Sequence, residues 1–278
     1  MRPTGKALVA GVMGWPISHS RSPVLHGHWL DRHGIDGAYV PMAVDPAQLE
    51  RAIRALPVLG FRGCNLTVPH KELALALVDQ VDPVARRIGA INTLVVGEGG
   101  IEGRNTDGIG FMENLKAGHA GFAASHGPVV VLGAGGAARA VIVALADAGA
   151  PEIRLANRSP GRSAALVAEF GAPLVAVPWE ARADALDGAA LLVNTTTLGM
   201  VGQEPLALAL DPLPVTALVT DIVYTPLETD LLARARARGN PVVDGLGMLL
   251  HQARPGFAAW FGVVPEVDEN LRRAVLGA

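Results

Sequence analysis

The chain has 278 residues, half of them apolar and only 4% aromatic, with a formal net charge of -3 and a single cysteine, Cys64. Such a length supplies core for two modest domains, and a mildly acidic balance without a basic stripe gives nucleic acid no electrostatic footing. One cysteine excludes an internal disulfide and a cysteine-based zinc cage.

No apolar run reaches the roughly 20 residues that span a bilayer. The N-terminal run from Ala7 to Trp15 is broken by glycines and followed by the polar Ser18-His19-Ser20-Arg21, a poor signal peptide, so no membrane association and a cytoplasmic location are expected. Apolar runs bounded by Gly, Pro and Asn then alternate with helical patterns, the punctuation of an α/β protein with largely parallel sheets. Strands are predicted over residues 7–12 and 38–43, with helices over 23–32 and 46–56. Further strands are predicted near residues 63–68, 92–96, 129–132, 153–157, 174–177, 191–194 and 217–222. A seam of turn and linker residues lies within 103–127, and residues 239–278 read as a short strand and two helices that must dock on another part of the chain.

The first strand is followed by Gly14-Trp15-Pro16-Ile17-Ser18-His19-Ser20-Arg21-Ser22-Pro23. Ser20 and Ser22 lie two apart, and Pro23 holds Ser22 extended, so both hydroxyls can face one ligand group such as a carboxylate. Ser22 also suits an N-cap before a proline at the first helical position, which leaves Ser20 unexplained. In Gly63-Cys64-Asn65-Leu66-Thr67-Val68-Pro69-His70-Lys71-Glu72, extended geometry would project Asn65, Thr67 and Lys71 together while Leu66 and Val68 point inward. An edge strand with a solvated lysine is the other reading of that segment. Cys64 is expected to be a buried small apolar residue.

Asn92 and Asp107 stand in the turn-rich segments Gly89-Ala90-Ile91-Asn92-Thr93 and Asn105-Thr106-Asp107-Gly108. Beside Lys71, Asp107 would orient an ammonium able to protonate a developing alkoxide; it equally suits a helix cap. Among the eight histidines, His26, His28 and His33 come nearest to a cluster, but His26 and His28 would point to different helix faces, and no metal is expected.

In the second half, Val129-Val130-Val131-Leu132 runs into Gly133-Ala134-Gly135-Gly136-Ala137-Ala138 and a helical pattern. Strand, glycine turn and helix in that order point to a dinucleotide site: Gly133 for the tight turn, Gly135 for close approach of a pyrophosphate, Ala138 for helix–strand packing. A turn that is merely glycine-rich remains the alternative. The next strand ends in Asn157-Arg158-Ser159, where an NAD-preferring fold carries an acid. With no acid to repel a 2′-phosphate, and with Arg158 and Arg162 able to pair with it, NADP is the expected cofactor; two solvated arginines are the alternative. Thr195 lies in a polar loop at the carboxyl end of a parallel strand, where ligands bind in such sheets, and is expected to pass near the cofactor without carrying chemistry; an ordinary βα turn is the alternative.

Ser20-x-Ser22-Pro23, Asn65-x-Thr67-x-Pro69-x-Lys71, Gly89-Ala90-x-Asn92-Thr93, Asn105-Thr106-Asp107-Gly108, the Gly133 turn, Asn157-Arg158-Ser159 and Gly245-x-Gly247-Met248-x-x-x-Gln252 together resemble the shikimate dehydrogenase family, in that family's order and over nearly the whole chain. The resemblance implies an α/β substrate domain built from both chain ends (1–107 and 243–278), a Rossmann-type NADP-binding domain in the middle (108–242), and a site in the cleft between them. It implies reversible NADPH-dependent reduction of 3-dehydroshikimate to shikimate, toward chorismate and the aromatic amino acids, by a monomer or homodimer.

By the same resemblance Lys71 and Asp107 are the catalytic pair, and Ser20 and Ser22 bind the carboxylate with Tyr224 nearby. Asn65, Thr67, Asn92 and Gln252 bind ring hydroxyls or hold the site together. Gly133, Ala134, Gly135, Gly136, Ala137, Asn157, Arg158, Ser159, Arg162, Thr195 and Gly245 are the implied NADP-binding set. Ser159 stands where members often carry threonine, His251 where many carry a small residue, and Ser22 resembles the shikimate-preferring members. A quinate or aminoshikimate paralogue and a non-catalytic NADP-binding sensor are the alternatives; an intact Lys71 and Asp107 argue against the sensor.

Overall fold

In the computed structural model, which describes residues 2–277, the alternating strands and helices build two six-stranded sheets, each within its own unit of the chain. One unit holds the residues up to Gly110 and from Leu249 onward; the other is Phe111–Met248. The expected α/β class is therefore what the chain adopts.

The first unit runs β1 (Leu8–Gly14), α1 (Ser22–Arg32), β2 (Gly37–Ala43), α2 (Leu49–Val58), β3 (Phe61–Leu66), α3 (His70–Leu73), β4 (Gln80–Val81), α4 (Pro83–Ile88), β5 (Thr93–Gly97) and β6 (Gly100–Arg104), and α5 (Asp107–Gly118) leads out of it. Its strand order is β2-β1-β3-β5-β6-β4. The expectation of largely parallel sheets holds in part here: β1–β2, β1–β3 and β4–β6 are parallel, but β3–β5 and β5–β6 are antiparallel. Only Glu98 and Gly99 join β5 to β6, too short a link for the crossover that parallel strands need. β6, Gly-Ile-Glu-Gly-Arg, was not expected because two glycines dilute its strand pattern.

A second correction concerns the segment around Lys71. β3 ends at Leu66, the His70 amide donates to the Thr67 carbonyl at 2.8 Å, and α3 then begins, so Lys71 projects from a helical turn and not from an extended strand. Val68 is 65% exposed instead of facing inward. The alternation holds only within β3. Cys64 and Leu66 enter an aliphatic core with Met13, Leu49 and Ile53. Asn65 reaches Tyr39 on the opposite face, and Gly63 lies under Trp260. Gly63 has φ +149, and a Cβ there would fall 2.0 Å from the Leu94 carbonyl oxygen and 2.4 Å from Trp260 Nε1, so only glycine lets the indole reach its acceptor on β5.

The second unit runs β7 (Val129–Leu132), α6 (Gly136–Asp147), β8 (Ile153–Ala156), α7 (Pro160–Phe170), β9 (Leu174–Val177), β10 (Leu191–Asn194), β11 (Leu218–Asp221), α8 (Asp230–Ala237) and β12 (Val242–Val243); α9 (Leu246–Phe261) leads back to the first unit, which α10 (Glu269–Leu276) completes. All its strand pairs are parallel, in the order β12-β11-β10-β7-β8-β9. The chain starts at the middle strand, builds outward to β9, then crosses to β10 on the other side, which is the doubly wound dinucleotide order. Both faces are buried, as parallel sheets require: Val129 and Val131 enter one core, Val130 and Leu132 the other. The return to the first unit comes later than residue 243, because β12 pairs with β11 and Asn114 Nδ2 holds the Asp244 carbonyl at 2.7 Å.

In the first unit α10 packs on α1, where Arg21 donates to the Val275 carbonyl at 2.9 Å and the Trp29 indole to that of Glu266 at 3.0 Å. Beneath them His26 stacks on Tyr39 with ring centroids 3.9 Å apart, walled by Trp29, Phe257 and Trp260. Among the described residues neither buried His26 nitrogen has a hydrogen-bond partner, and burial, outweighing the opposing pull of the nearby Asn65 side chain, pushes its pKa down to about 3. Because the folded state excludes this proton, the stability from a neutral His26 is present above pH 6.5 and is lost as pH falls toward 3. His26→Phe should therefore lose less stability than the parent between pH 6.5 and pH 4 in urea unfolding; parallel pH curves for the two proteins would refute the assignment.

Candidate active site

The polar centre of the first unit is a lysine–carboxylate pair. Lys71 Nζ donates to Asp107 Oδ2, and both side chains are largely withdrawn from water, 16% and 5% exposed. A buried pair is tolerated when its remaining lone pairs are hydrogen-bonded. Asn92 meets that need, its Nδ2 donating to Asp107 Oδ1 at 2.8 Å. The same amide nitrogen lies 2.9 Å from Thr106 Oγ1 and 3.1 Å from Gln252 Oε1. Its oxygen accepts from the Thr106 amide and from Thr93 Oγ1, each at 2.9 Å. Thr106 Oγ1 in turn donates to the Gln252 carbonyl at 2.8 Å.

Each partner is delivered by a local device. His70 is buried beside Lys71 with Nε2 against the Val44 carbonyl at 2.9 Å, which fixes the start of α3. Asn105 turns the chain into α5: its Oδ1 accepts the Asp107 amide at 3.0 Å and its Nδ2 donates to the Ala90 carbonyl at 2.9 Å. Asn65 lies behind, its Nδ2 donating to the Asn92 carbonyl and to Thr93 Oγ1, both at 3.1 Å, while Tyr39 Oη donates to its oxygen at 2.6 Å. Thr67 follows β3, half-buried, with its amide on the Met13 carbonyl at 2.9 Å.

Ser20 and Ser22 stand at the entry to α1. The N-cap alternative for Ser22 fails, since Ser22 is already the first residue of the helix and the capping position is Arg21, whose side chain makes no cap bond. Ser22 is buried and Ser20 half-buried, linked only by a long 3.4 Å contact from the Ser22 amide to Ser20 Oγ. Of the expected substrate set, the structure joins Lys71, Asp107, Asn92, Gln252 and Asn65 in one hydrogen-bonded network; Tyr224 belongs to the second unit, half-buried after β11.

In the second unit Gly133 follows β7 with φ +106, and a Cβ there would lie 2.7 Å from Thr195 Oγ1. Glycine is thus required both by the backbone and by the adjoining loop. Thr195 Oγ1 donates to the Leu132 carbonyl at 2.6 Å, tying the loop after β10 to the foot of that turn. Gly135 is the N-cap of α6, with no side-chain cap bond and open space where its Cβ would be. Ala134, Gly136 and Ala137 complete a turn whose first helical N–H groups are left for an anion.

At the end of β8, Asn157 Nδ2 donates to the Ser159 carbonyl at 3.0 Å, while Arg158, Ser159 and Arg162 are exposed. Ser159 occupies the N-cap of α7 without using its hydroxyl as a cap. Gly245, before α9, packs on the backbone of Asp221 and Ile222. The residues present therefore fit a phosphorylated dinucleotide. Among the described residues no group of three His, Cys, Asp or Glu could hold a metal, and no helix is long and apolar enough to cross a membrane.

Sequence reasoning missed Tyr39, Thr93, Thr106 and Asn105 as members of the network. The last three stand inside motifs that had been singled out, so their adjacency to Asn92 and Asp107 was the available signal. Tyr39 sits in an apolar strand and carried none.

Residues 12–94 match a family model described as the shikimate dehydrogenase substrate binding domain. A shikimate dehydrogenase (NADP(+)) of Paramagnetospirillum magneticum is 65% identical over 98% of this chain and 99% of its own length. Among solved structures, shikimate 5-dehydrogenase from Thermus thermophilus, in complex with NADP(H) and shikimate, is 41% identical with a TM-score of 0.86, covering 97% of this chain and 99% of that one. A quinate dehydrogenase from Corynebacterium glutamicum, in complex with NAD, is 31% identical with a TM-score of 0.89, covering 98% and 99%.

Proposed function

From its membership of the shikimate dehydrogenase family, to which the chain belongs, we propose that it catalyses the reversible NADPH-dependent reduction of 3-dehydroshikimate to shikimate, on the route to chorismate and the aromatic amino acids. The observation that carries this reading is the Lys71 ammonium held on Asp107, with Asn92 fixing the other carboxylate oxygen. A binding module has no use for a proton donor so carefully oriented. A biosynthetic enzyme of this kind works among soluble metabolites, which supports a cytoplasmic location.

The first unit serves as the substrate domain and the second as the NADP domain. Ser20 and Ser22 bind the substrate carboxylate with Tyr224, and Thr67, Asn92 and Gln252 meet the ring hydroxyls. Asn65, whose amide is spent on Tyr39, Thr93 and the Asn92 backbone, acts from behind by holding Asn92 in place. The chemistry that NADPH supplies is a hydride for the ring ketone. Lys71 gives its proton to the oxygen as charge develops there, and takes it back in the oxidative direction; Asp107 holds and aims the ammonium. Gly133, Ala134, Gly135, Gly136 and Ala137 cradle the pyrophosphate at the start of α6. Arg158 and Arg162 pair with the 2′-phosphate beside Asn157 and Ser159, while Thr195 and Gly245 line the adjoining edge.

The likeness to a quinate dehydrogenase makes that activity the second reading, against which stands the much higher identity to NADP-dependent shikimate dehydrogenases. Nicotinamide reduction followed with shikimate or quinate and with NADP+ or NAD+, in all four combinations, separates them. Rapid turnover with shikimate and NADP+ alone is expected; quinate or NAD+ turnover at a comparable rate moves the protein to the second reading. Lys71→Ala should lower kcat by about 10²- to 10⁴-fold with a smaller change in KM, and a normal kcat would remove Lys71 from the proton transfer. Arg158→Ala should weaken NADPH much more than NADH, whereas equal losses would sink the phosphate assignment.

A further inference from the structure

The largest buried carboxyl system outside the Lys71 network, among the described residues, lies at the end of β11. We infer that Asp221 is a positioning residue for the nucleotide edge of the second sheet, one carboxylate holding the loops after β10 and after β11 in fixed register. The inference rests on the assignment above of Gly133 and Thr195 to NADP and of Tyr224 to the substrate.

Asp221 and Asn194 face each other at the last pair of the β10–β11 ladder. Asn194 Nδ2 and the Val223 amide both donate to Asp221 Oδ1 at 3.0 Å, and Thr229 Oγ1 donates to Oδ2 at 2.8 Å. Asn194, Asp221 and Thr229 are at most 1% exposed, so no water substitutes for these bonds. Because an ionised carboxylate only accepts, it forces the Asn194 amide to present its nitrogen. That orientation shapes the next loop: the same nitrogen donates to the Leu198 carbonyl at 3.1 Å, and the amide oxygen accepts the Thr196 amide at 3.0 Å and Thr196 Oγ1 at 2.7 Å. Thr195 sits between these anchors, its hydroxyl on the Leu132 carbonyl beneath the Gly133 turn.

On the other side, the Val223 bond fixes the residue before Tyr224, and Thr229, while holding Oδ2, also caps α8. A third loop closes over the same point, since a Cβ on Gly245 would lie 2.6 Å from the Asp221 carbonyl oxygen. Three loops carrying Thr195, Tyr224 and Gly245 therefore converge on one residue that has no direct role in the chemistry. Burial raises the Asp221 carboxyl to about pKa 6 despite its hydrogen bonds. Stability alone would favour a neutral group here, and the cost of keeping an ionisable one points to geometry.

The test uses the full chain with Asp221→Ala and Asp221→Asn, reading NADP+ affinity by direct titration, KM for NADP+ and shikimate, kcat, and Tm. Asp221→Ala should weaken NADP+ and raise the shikimate KM by about tenfold, with a smaller fall in kcat. Asp221→Asn should restore NADP+ affinity, because its carbonyl can accept from Asn194 and Val223 while its N–H donates to Thr229 Oγ1. A purely structural role would lower Tm and leave these constants unmoved in the folded protein, and that result would overturn the inference, as would an asparagine variant impaired as badly as the alanine. If Asp221→Ala does not fold, Thr229→Val removes the Oδ2 donor together with the α8 cap and should raise the NADP+ KM by about threefold; an unchanged KM there is again a refutation. Parent protein that binds NADP+ but does not turn over shikimate would remove the proposed activity while the titrations still decide the role of Asp221.

Discussion

A charged lysine and a carboxylate withdrawn from water impose a strict demand on everything around them. Their attraction offsets the loss of hydration only if each remaining lone pair and proton finds a partner, and in this chain one amide, Asn92, meets the carboxylate oxygen that faces away from the lysine. Its nitrogen faces Asp107, Thr106 and Gln252, and its oxygen faces Thr93 and Thr106. The amide cannot flip without setting oxygen against carboxylate. The orientation of the lysine thus depends on an asparagine that is itself locked by residues from β5, α9 and the turn into α5, with Asn65 and Tyr39 holding its backbone from behind.

The two sheets solve different problems. The second is parallel, covered on both faces and built outward from β7, so its crossover brings the Gly133 turn and the Thr195 loop together, with open space at Gly135 where α6 starts. The first mixes parallel and antiparallel pairs, and polar side chains stand at its strand ends, Thr67 after β3 and Asn92 before β5. One edge is made of backbone that anions can approach; the other is made of side chains that can donate and accept protons. The neutral His26 and the proton-retaining Asp221 show the same division in their pH behaviour, because across the acid range they act on stability in opposite directions.

Much of this was legible in the sequence, for physical reasons. Buried parallel strands read as continuous apolar runs, so Val129 to Leu132 and Leu191 to Asn194 were found with their boundaries, as was the apolar edge strand Leu174 to Val177. Polar residues in turn-rich motifs stood out against an apolar background, which is how Lys71, Asp107 and Asn92 were singled out. Lys71 was nevertheless placed on the wrong element, since alternation in β3 says nothing about the turn closed between Thr67 and His70. The antiparallel β5–β6 hairpin was hidden by its glycines, and Tyr39 by the apolar strand around it. Asp221 was passed over because a single acid at a strand end has no pattern; its importance lies in which loops meet there.

The seating of Trp260 over Gly63 bears on the order in which the two sheets can close. The aromatic layer of the first unit is finished by Phe257 and Trp260, and the indole of Trp260 closes on Leu94 across 166 positions of sequence. Residues before the second unit must therefore wait for residues after it, whereas the second unit draws all its strands from one continuous stretch of chain. The long sequence separation of that contact makes the first sheet, open at its glycine until the indole is seated, the slower of the two to close.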